Sequence, residues 1–471
     1  MHELNPSIFE IFALSLPKGL GFGERPPVRF WSSDDRLSCA AVRRDVHDDT
    51  FGILVMRRRV DQVWVVTADV HKFSSEQEAA AELPQHLCEG IPPEPIPLGT
   101  RAHAPLHDVA GRESSDLFKL LANKSHWAAA WTLNQAYVAL PKPDRNWVGD
   151  FQTNNFHTRM WELMLIACFR EQGVLVTQPH ESPDFRLENR LGGVAWVEAV
   201  TTNPTVRYNH LNALTVAAPE ELKELFFGET AVRFAKTLGN KIGNRYDQLP
   251  HVNGQPFVIA IADFQMGGSM IWSRQSLVGY LYGKGAREVL ADGKRSFEPI
   301  SAAELLGSSR FPAGLFSDDR NSELSAIIFS NACTLAKFNR IAISRGINPG
   351  GVSCTRIGEF FDRTPGATRA IPFCMDVSSD EYRELWLYGH EPWSAELEVF
   401  HNPFARNPMS RKLLREATQW FYENGEIVCE SFHAPAIIRS RTFTHDLTNK
   451  PRYLEELCSR LSDAYKEGGY E

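Results

Sequence analysis

Three carboxylates, Glu162, Asp184 and Glu198, lie beside or within apolar stretches of this chain. Residues 160–169 are apolar at every position except Glu162, Asp184 follows a proline, and Glu198 lies inside the apolar run 194–200. A carboxylate in apolar surroundings needs a cationic partner, a proton or a metal ion. Carboxylate oxygens are also the ligands that hard divalent cations such as Mg²⁺ prefer. The three residues are therefore candidates for a metal site.

Local sequence predicts the elements that must position these carboxylates. Leu, Met and Ala dominate residues 160–169, which favours a helix that breaks at Gln172–Gly173. A short strand is expected at 174–177. The Gly192–Gly193 pair then predicts the turn of a hairpin whose second strand covers 194–200.

The hairpin would bring two of the carboxylates together. Neighbouring strands are ~5 Å apart, so Asp184 at the start of one strand and Glu198 in the other could share one Mg²⁺ ion. The backbone carbonyl of Ala199 would be a further ligand. Glu162, on the preceding helix, would hold a second ion or a metal-bound water.

The order of helix glutamate, strand, Pro-Asp, turn and strand glutamate resembles the metal-binding core of the PD-(D/E)XK nucleases, also called restriction-endonuclease-like. The resemblance covers roughly a third of the chain. It implies a nuclease that depends on Mg²⁺ or Mn²⁺ and hydrolyses phosphodiester bonds of nucleic acid, with DNA as the expected substrate and RNA as the alternative. Domains of this kind commonly serve in defence against foreign DNA, in restriction or in repair.

One feature departs from the family pattern, because the family's lysine lies two residues after the second carboxylate, where this chain has Val200. A helix is expected at Thr230 to Gln248, and Lys241 falls at the border of its apolar face. A lysine in that position can extend its ammonium into a neighbouring pocket. We therefore nominate Lys241 as the relocated lysine and Arg245 as the second choice. A surface lysine is the alternative. Three further residues are expected to line the same pocket: Thr201, Thr202 and Asn203.

Each carboxylate also has a structural interpretation. Glu162 could pair with Arg159, Asp184 could be a turn or capping residue after proline, and Glu198 could be a paired or exposed strand residue. If these interpretations hold, the protein is a non-catalytic binding or scaffold protein with the same fold. The missing strand lysine favours this second hypothesis.

Composition narrows the class of protein. The chain has 471 residues and 43% hydrophobic composition, as expected of a globular protein with more than one domain. Because the net charge of the chain is −8, a nucleic acid would have to bind to a local basic patch. Eight scattered cysteines without a CxxC pair indicate reduced thiols in a cytoplasmic protein. No segment has the length and apolarity of a membrane span.

The predicted fold class is α/β, with a central mixed β-sheet flanked by helices, as the resemblance also implies. An N-terminal α+β domain (1–145) precedes the nuclease-like core (146–345), and a C-terminal α+β region (346–471) follows it. An insertion is expected at about 266–312. An antiparallel meander is expected at 27–69 and buried strands at 256–264 and 322–329.

Helical segments are expected outside the core as well. They are predicted at 74–87, 115–121, 126–137, from near Pro219, at 276–282, at 410–420 and at 450–466.

Overall fold

The computed structural model describes residues 1–19, 21, 23–203, 228–265, 268–291, 294–301, 313–348, 351–364 and 370–467. The helix predicted from near Pro219 begins outside these ranges. The chain divides into two compact units: residues 1–178 with 188–190, and residues 179–187 with 191–471. The predicted boundaries at 145 and 345 stay predictions.

The first unit contains the predicted meander. Its sheet is antiparallel in the order β1 (His2–Glu3), β2 (Pro27–Ser32), β3 (Ser38–Arg44), β4 (Phe51–Arg58), β5 (Trp64–Phe73). Alternate residues of β3 point to opposite faces, so that Ala41 packs with Phe9 while Ala40 packs with Leu83. This sheet is therefore covered on both faces.

The other regular elements described in the first unit are helices and one short strand, β6 (Leu175–Thr177). The helices are α1 (Pro6–Ala13), α2 (Glu76–Glu82), α3 (Asp116–Leu121), α4 (Trp127–Val138), α5 (Trp147–Gln152) and α6 (Phe156–Glu171). The last of these is the predicted glutamate-bearing helix, and its residues 163–170 are buried throughout. The helices predicted at 115–121 and 126–137 are confirmed.

The second unit is built on a large mixed sheet. Its strands lie in the order β17 (Glu426–Glu430), β16 (Thr418–Glu423), β15 (Glu398–His401), β12 (Leu324–Ser330), β9 (Phe257–Asp263), β8 (Val194–Thr202), β7 (Phe185–Glu188). Strand β9 pairs parallel with both β8 and β12, whereas β12 pairs antiparallel with β15. The prediction of a mixed sheet flanked by helices is confirmed in these terms.

Helix α7 (Thr230–Gly243) covers one face of β8 and β9. Phe234, Ala235 and Leu238 of α7 pack with Trp196 and Ile259 in one hydrophobic cluster. The predicted apolar face of the helix is confirmed. The helix is shorter than predicted, because a left-handed residue, Arg245 (φ 53°), interrupts the chain before a 3₁₀ turn.

Several elements of the second unit lie outside the large sheet. Further helices are α8 (Ser273–Tyr282), α9 (Leu335–Ser344), α10 (Asp380–Glu384) and α11 (Arg452–Glu467). A hairpin within the predicted insertion joins β10 (Lys284–Ala291) to β11 (Lys294–Ser301). A three-stranded antiparallel sheet has the order β14 (Ala370–Asp376), β13 (Val352–Phe361), β18 (Ile437–Asp446).

Two predictions for the C-terminal third are wrong. The helix predicted at 410–420 is a series of turns followed by β16, because Thr418 to Trp420 pair with β15. The cysteines are not all reduced thiols, because Cys374 of β14 and Cys458 of α11 form a disulfide.

Buried charges stabilise the region around α9. Lys337 Nζ lies 2.8 Å from Glu391 Oε1, Arg340 Nε lies 2.9 Å from Glu391 Oε2, and these three side chains are at most 4% exposed. Burial raises the pKa of Glu391, but Arg340, Lys337 and the nearby Arg356 outweigh that effect and keep the pKa well below its usual range. Glu391 is thus a structural anion.

Among the helices in the described ranges, none combines the length and apolarity needed to cross a lipid bilayer.

The packing of α7 can be tested by truncating one apolar side chain. Leu238 is fully buried, so we expect Leu238→Ala to lower the free energy of unfolding by about 2–5 kcal/mol. Lys236 is exposed on the same helix, and Lys236→Ala should change that free energy by less than about 0.5 kcal/mol. Urea unfolding followed by tryptophan fluorescence measures both variants. Equal effects would mean that α7 does not pack as described.

Candidate functional site

Asp184 contacts the strand that carries Glu198. It precedes β7, and β7 neighbours β8 across a turn in which Gly192 has a φ of 78°. The backbone N–H of Ala199 donates a 2.7 Å hydrogen bond to Asp184 Oδ2. The N–H and C=O of one strand residue point to the same side, so the carbonyl of Ala199 also faces the side on which Asp184 lies.

Glu198 points toward α7. It is in register with Ile259 of β9, and Ile259 belongs to the cluster that α7 covers. The side chain of Glu198 is only 6% exposed, and Lys241 Nζ of α7 donates a 2.6 Å hydrogen bond to its Oε1. Within the described part of the chain, the second oxygen, Oε2, is buried and accepts no hydrogen bond. A buried carboxylate oxygen without a partner is costly unless a ligand satisfies it.

Lys241 is held in its charged form by its surroundings. Burial lowers its pKa, but the hydrogen bond and the charge of Glu198 raise it more, with weaker contributions from Tyr246 and Asp184. The net result is a pKa above the ordinary lysine value.

The donor set fits a hard divalent cation. Asp184 and Glu198 provide carboxylate oxygens, one of them unpaired, and Ala199 provides a carbonyl on the same side of the strand. Across the described ranges, no group of three or more His, Cys, Asp or Glu side chains is placed to hold one metal ion. Mg²⁺ commonly uses only one or two protein carboxylates and completes its shell with water and substrate phosphate. The two carboxylates therefore suffice for that mode of binding.

Glu162 belongs to the first unit, where other side chains satisfy it. Trp147 Nε1 donates a 2.7 Å hydrogen bond to its Oε2, and Arg159 Nη1 lies 3.0 Å from its Oε1. Burial raises the pKa of Glu162 even though Arg159 and Trp147 both favour the charged form. The pairing with Arg159 is the structural alternative given above, and a metal role for Glu162 stays a prediction.

The other predicted lining residues have partners of their own. Arg245 forms an ion pair with Asp247 (2.9 Å), which makes it a weaker candidate than Lys241 for the relocated cation. Thr202 Oγ1 donates to Asp263 Oδ1 at 2.9 Å, and Arg233 donates to the backbone carbonyl of Asn203 at 3.2 Å. Thr201 is part of β8.

Sequence reasoning missed Asp263, the last residue of β9. It is 4% exposed, and burial raises its pKa against the lowering effect of hydrogen bonds from Gln265 and nearby hydroxyls. Its register partner, Thr202, lies four residues along β8 from Glu198, which corresponds to ~13 Å. Asp263 is therefore too far from Glu198 to share one ion. The sequence could have indicated this residue, because Asp263 is the one acidic residue in the apolar run 256–264.

A pair of histidines beside the Asp184 loop was also missed. His251 Nε2 lies 2.9 Å from the backbone carbonyl of Ser182, two residues before Asp184. The rings of His180 and His251 stack with centroids 3.7 Å apart, and Trp196 contacts His251 edge-on at 4.9 Å. These contacts anchor the loop that carries Asp184. Isolated histidines gave no signal in the sequence, because only folding brings these two together.

The ion pair at this site should contribute to stability until Lys241 loses its proton. Because its pKa is raised in the fold, the contribution is complete below the ordinary value of 10.5 and is lost as pH rises through the higher folded value. We expect Lys241→Met to lower the free energy of unfolding by about 1 kcal/mol at neutral pH. The difference should shrink above pH 10.5. Urea unfolding of both proteins across this pH range tests the prediction. A difference in free energy of unfolding that does not change with pH would contradict it.

No protein-family model, curated protein or solved structure matches this chain. The resemblance to the PD-(D/E)XK nucleases therefore stays a prediction, based on the order of Glu162, Asp184 and Glu198 in the sequence.

Proposed function

We propose that this protein is a metal-dependent nuclease with a restriction-endonuclease-like core and that its metal site lies in the second unit. The observation that carries the proposal is the gathering of Asp184, Glu198 and Lys241, with the buried Oε2 of Glu198 unpaired. Asp184, Glu198 and the Ala199 carbonyl would hold Mg²⁺ or Mn²⁺. The proposal extends to DNA as substrate, to a cytoplasmic location and to a role in defence or repair.

These groups match what phosphodiester hydrolysis needs. The reaction requires a water made nucleophilic and stabilisation of the negative charge that develops on phosphate oxygens. A bound divalent cation would supply Lewis acidity at this site. Lys241 would place its ammonium beside the attacking water and the phosphate, where its raised pKa keeps it charged at neutral pH. Asp184, tied to the backbone of β8, would keep its position as substrate binds.

The helix position of Lys241 accounts for the missing strand lysine. Residues i and i+2 of a strand share one face, so a lysine at position 200 would point to the same side as Glu198. In this chain Val200 occupies that position and packs against the cluster under α7. Lys241 reaches the same face from the helix above it. Helix α7 would thus provide, on the same face of the sheet, the cation that a lysine on the strand provides in the family pattern.

A local concentration of cations supports nucleic acid as the substrate despite the net charge of −8. Arg233 and Lys241 lie on α7, and Arg245 follows it. The side chain of Arg245 is half exposed. Cations on the element that covers the site would contact phosphates on either side of the scissile bond.

Cleavage of DNA tests the proposal directly. Supercoiled plasmid and single-stranded oligonucleotides are incubated with the full chain in Mg²⁺, Mn²⁺ or EDTA. We expect cleavage with a divalent ion only, and a loss of at least about 100-fold in Asp184→Asn, Glu198→Gln and Lys241→Met. Lys236→Ala, on the exposed side of α7, should retain activity within about twofold. Cleavage that survives in Glu198→Gln would overturn the assignment of the site.

A non-catalytic scaffold is the second candidate, favoured by the ion pair in which Lys241 already neutralises Glu198. Calorimetric titration with Mn²⁺ separates the two. The nuclease proposal expects binding that is lost in Asp184→Asn and in Glu198→Gln. Absence of divalent-ion binding, together with an effect of Glu198→Gln on stability alone, would favour the scaffold.

A further inference from the structure

Helix α4 of the first unit is apolar or aromatic at nine of its twelve positions, but protein covers only part of it. Ala128, Ala129, Leu133 and Ala136 are buried. A helix with so few polar residues is expected to be buried over most of its surface. Instead, the side of α4 that carries Trp127 borders a cavity, and Trp127 is 43% exposed.

The cavity is large enough for a small molecule and is lined mainly by apolar and aromatic groups. Its volume is about 870 Å³, within the range typical of small-molecule sites. One wall is a single face of α4, as the spacing i, i+3, i+4, i+7, i+11 shows: Trp127, Ala130, Trp131, Asn134 and Val138. The segment 102–108, the turn 60–62 and residues 121–124 form the other walls.

Aromatic rings give this cavity a preference for planar ligands. Trp127 and Trp131 are one helical turn apart on the same face, and Tyr137 and His103 also line the cavity and contact each other edge-on at 5.3 Å. Indole faces bind planar rings through stacking and through the burial of apolar surface. Two indoles one turn apart can contact both rings of a fused bicycle or one ring and its substituent.

Apart from Tyr137 and the ionised residues, the polar side chains that line the cavity are those of Gln62, His103, His107, Asn123 and Asn134. Asn134 lies among the indoles on the lining face of α4. An asparagine amide offers a donor and an acceptor side by side, which is the pattern that pairs with the edge of a nucleobase. The lining residue His103 is 9% exposed, and its Nδ1 is buried without a hydrogen-bond partner in the described ranges, 3.7 Å from Asp61 Oδ2.

Charge argues against an anionic ligand. The ionised side chains at the cavity are those of Asp61, Asp108 and Lys124, and Asp61 is already paired with Arg59 at 2.6 Å. Burial lowers the pKa of His103 and of His107, so both rings are neutral at pH 7. A phosphate group would meet one lysine and two carboxylates here.

We propose that this cavity binds an uncharged heteroaromatic molecule of the nucleobase or nucleoside type. Its ring would contact the indoles of Trp127 and Trp131, and its polar edge would pair with the amide of Asn134. All the lining residues lie in the first unit, so this site does not depend on the proposed nuclease site in the second.

Ligand-observed saturation-transfer NMR on the full chain tests this proposal. The probes are adenosine, guanosine, cytidine and uridine, their 5′-monophosphates, and naphthalene as a planar ligand without polar atoms. We expect at least one nucleoside to bind and its monophosphate to bind more weakly. Trp131→Ala should weaken nucleoside binding at least tenfold, whereas Lys119→Ala, an exposed change on α3, should leave it unchanged.

Asn134→Leu is the sharper variant, because it keeps the shape of the cavity and removes the amide. It should lose nucleoside binding and retain naphthalene binding, which also shows that the cavity has folded. Naphthalene binding without nucleoside binding in the unaltered chain would overturn the ligand class. Tighter binding of the monophosphates would overturn the uncharged ligand. If no probe binds to the folded protein, the site itself is refuted, whatever the outcome of the DNA cleavage assay.

Discussion

The packing of helix α7 against β8 and β9 is the constraint on which the candidate site depends. Phe234 and Leu238 are fully buried against the sheet, and this fixes the rotation of the helix about its axis. Once that rotation is set, Lys241 lies at the margin of the contact, 2.6 Å from Glu198. The apolar contact stabilises the position of the helix, and this position brings Lys241 within hydrogen-bond distance of Glu198. A charged pair alone would not fix it, since an ion pair of this exposure contributes only about 1 kcal/mol.

The same site combines a satisfied and an unsatisfied carboxylate oxygen. Lys241 neutralises Glu198 through Oε1, whereas Oε2 is buried without a hydrogen bond in the described ranges. Asp184 is held from the other side by the backbone of Ala199. Two carboxylates near one ammonium leave a net negative charge, which favours a further cation. In the proposed function, Lys241 would neutralise Glu198 while no metal is bound. When metal and substrate are bound, its ammonium would lie beside the substrate.

Sequence periodicity predicted the elements in which apolar residues are buried and polar residues are exposed. It found the meander of the first unit, the apolar face of α7 and the continuous apolar strand β9. It failed for elements in which strand pairing overrides local propensity or in which charged residues are buried. Residues 410–420 have a helix-like composition, but Thr418 to Trp420 pair with β15, and that pairing overrides local propensity. The strands β13 and β18 carry many charged and polar residues, and α9 buries Lys337 and Arg340, which pattern reasoning assigns to the surface.

The sequence by itself determined which residue types lie near apolar segments: a proline-aspartate before a hairpin, a glutamate inside a buried strand, and a lysine at the edge of an amphipathic helix. These are local properties, because periodicity reports which face of an element is buried. Only the tertiary structure decided which of them meet. It placed the ammonium of Lys241 beside Glu198 and the indole of Trp147 beside Glu162, since packing and not spacing determines which residues distant in sequence come into contact.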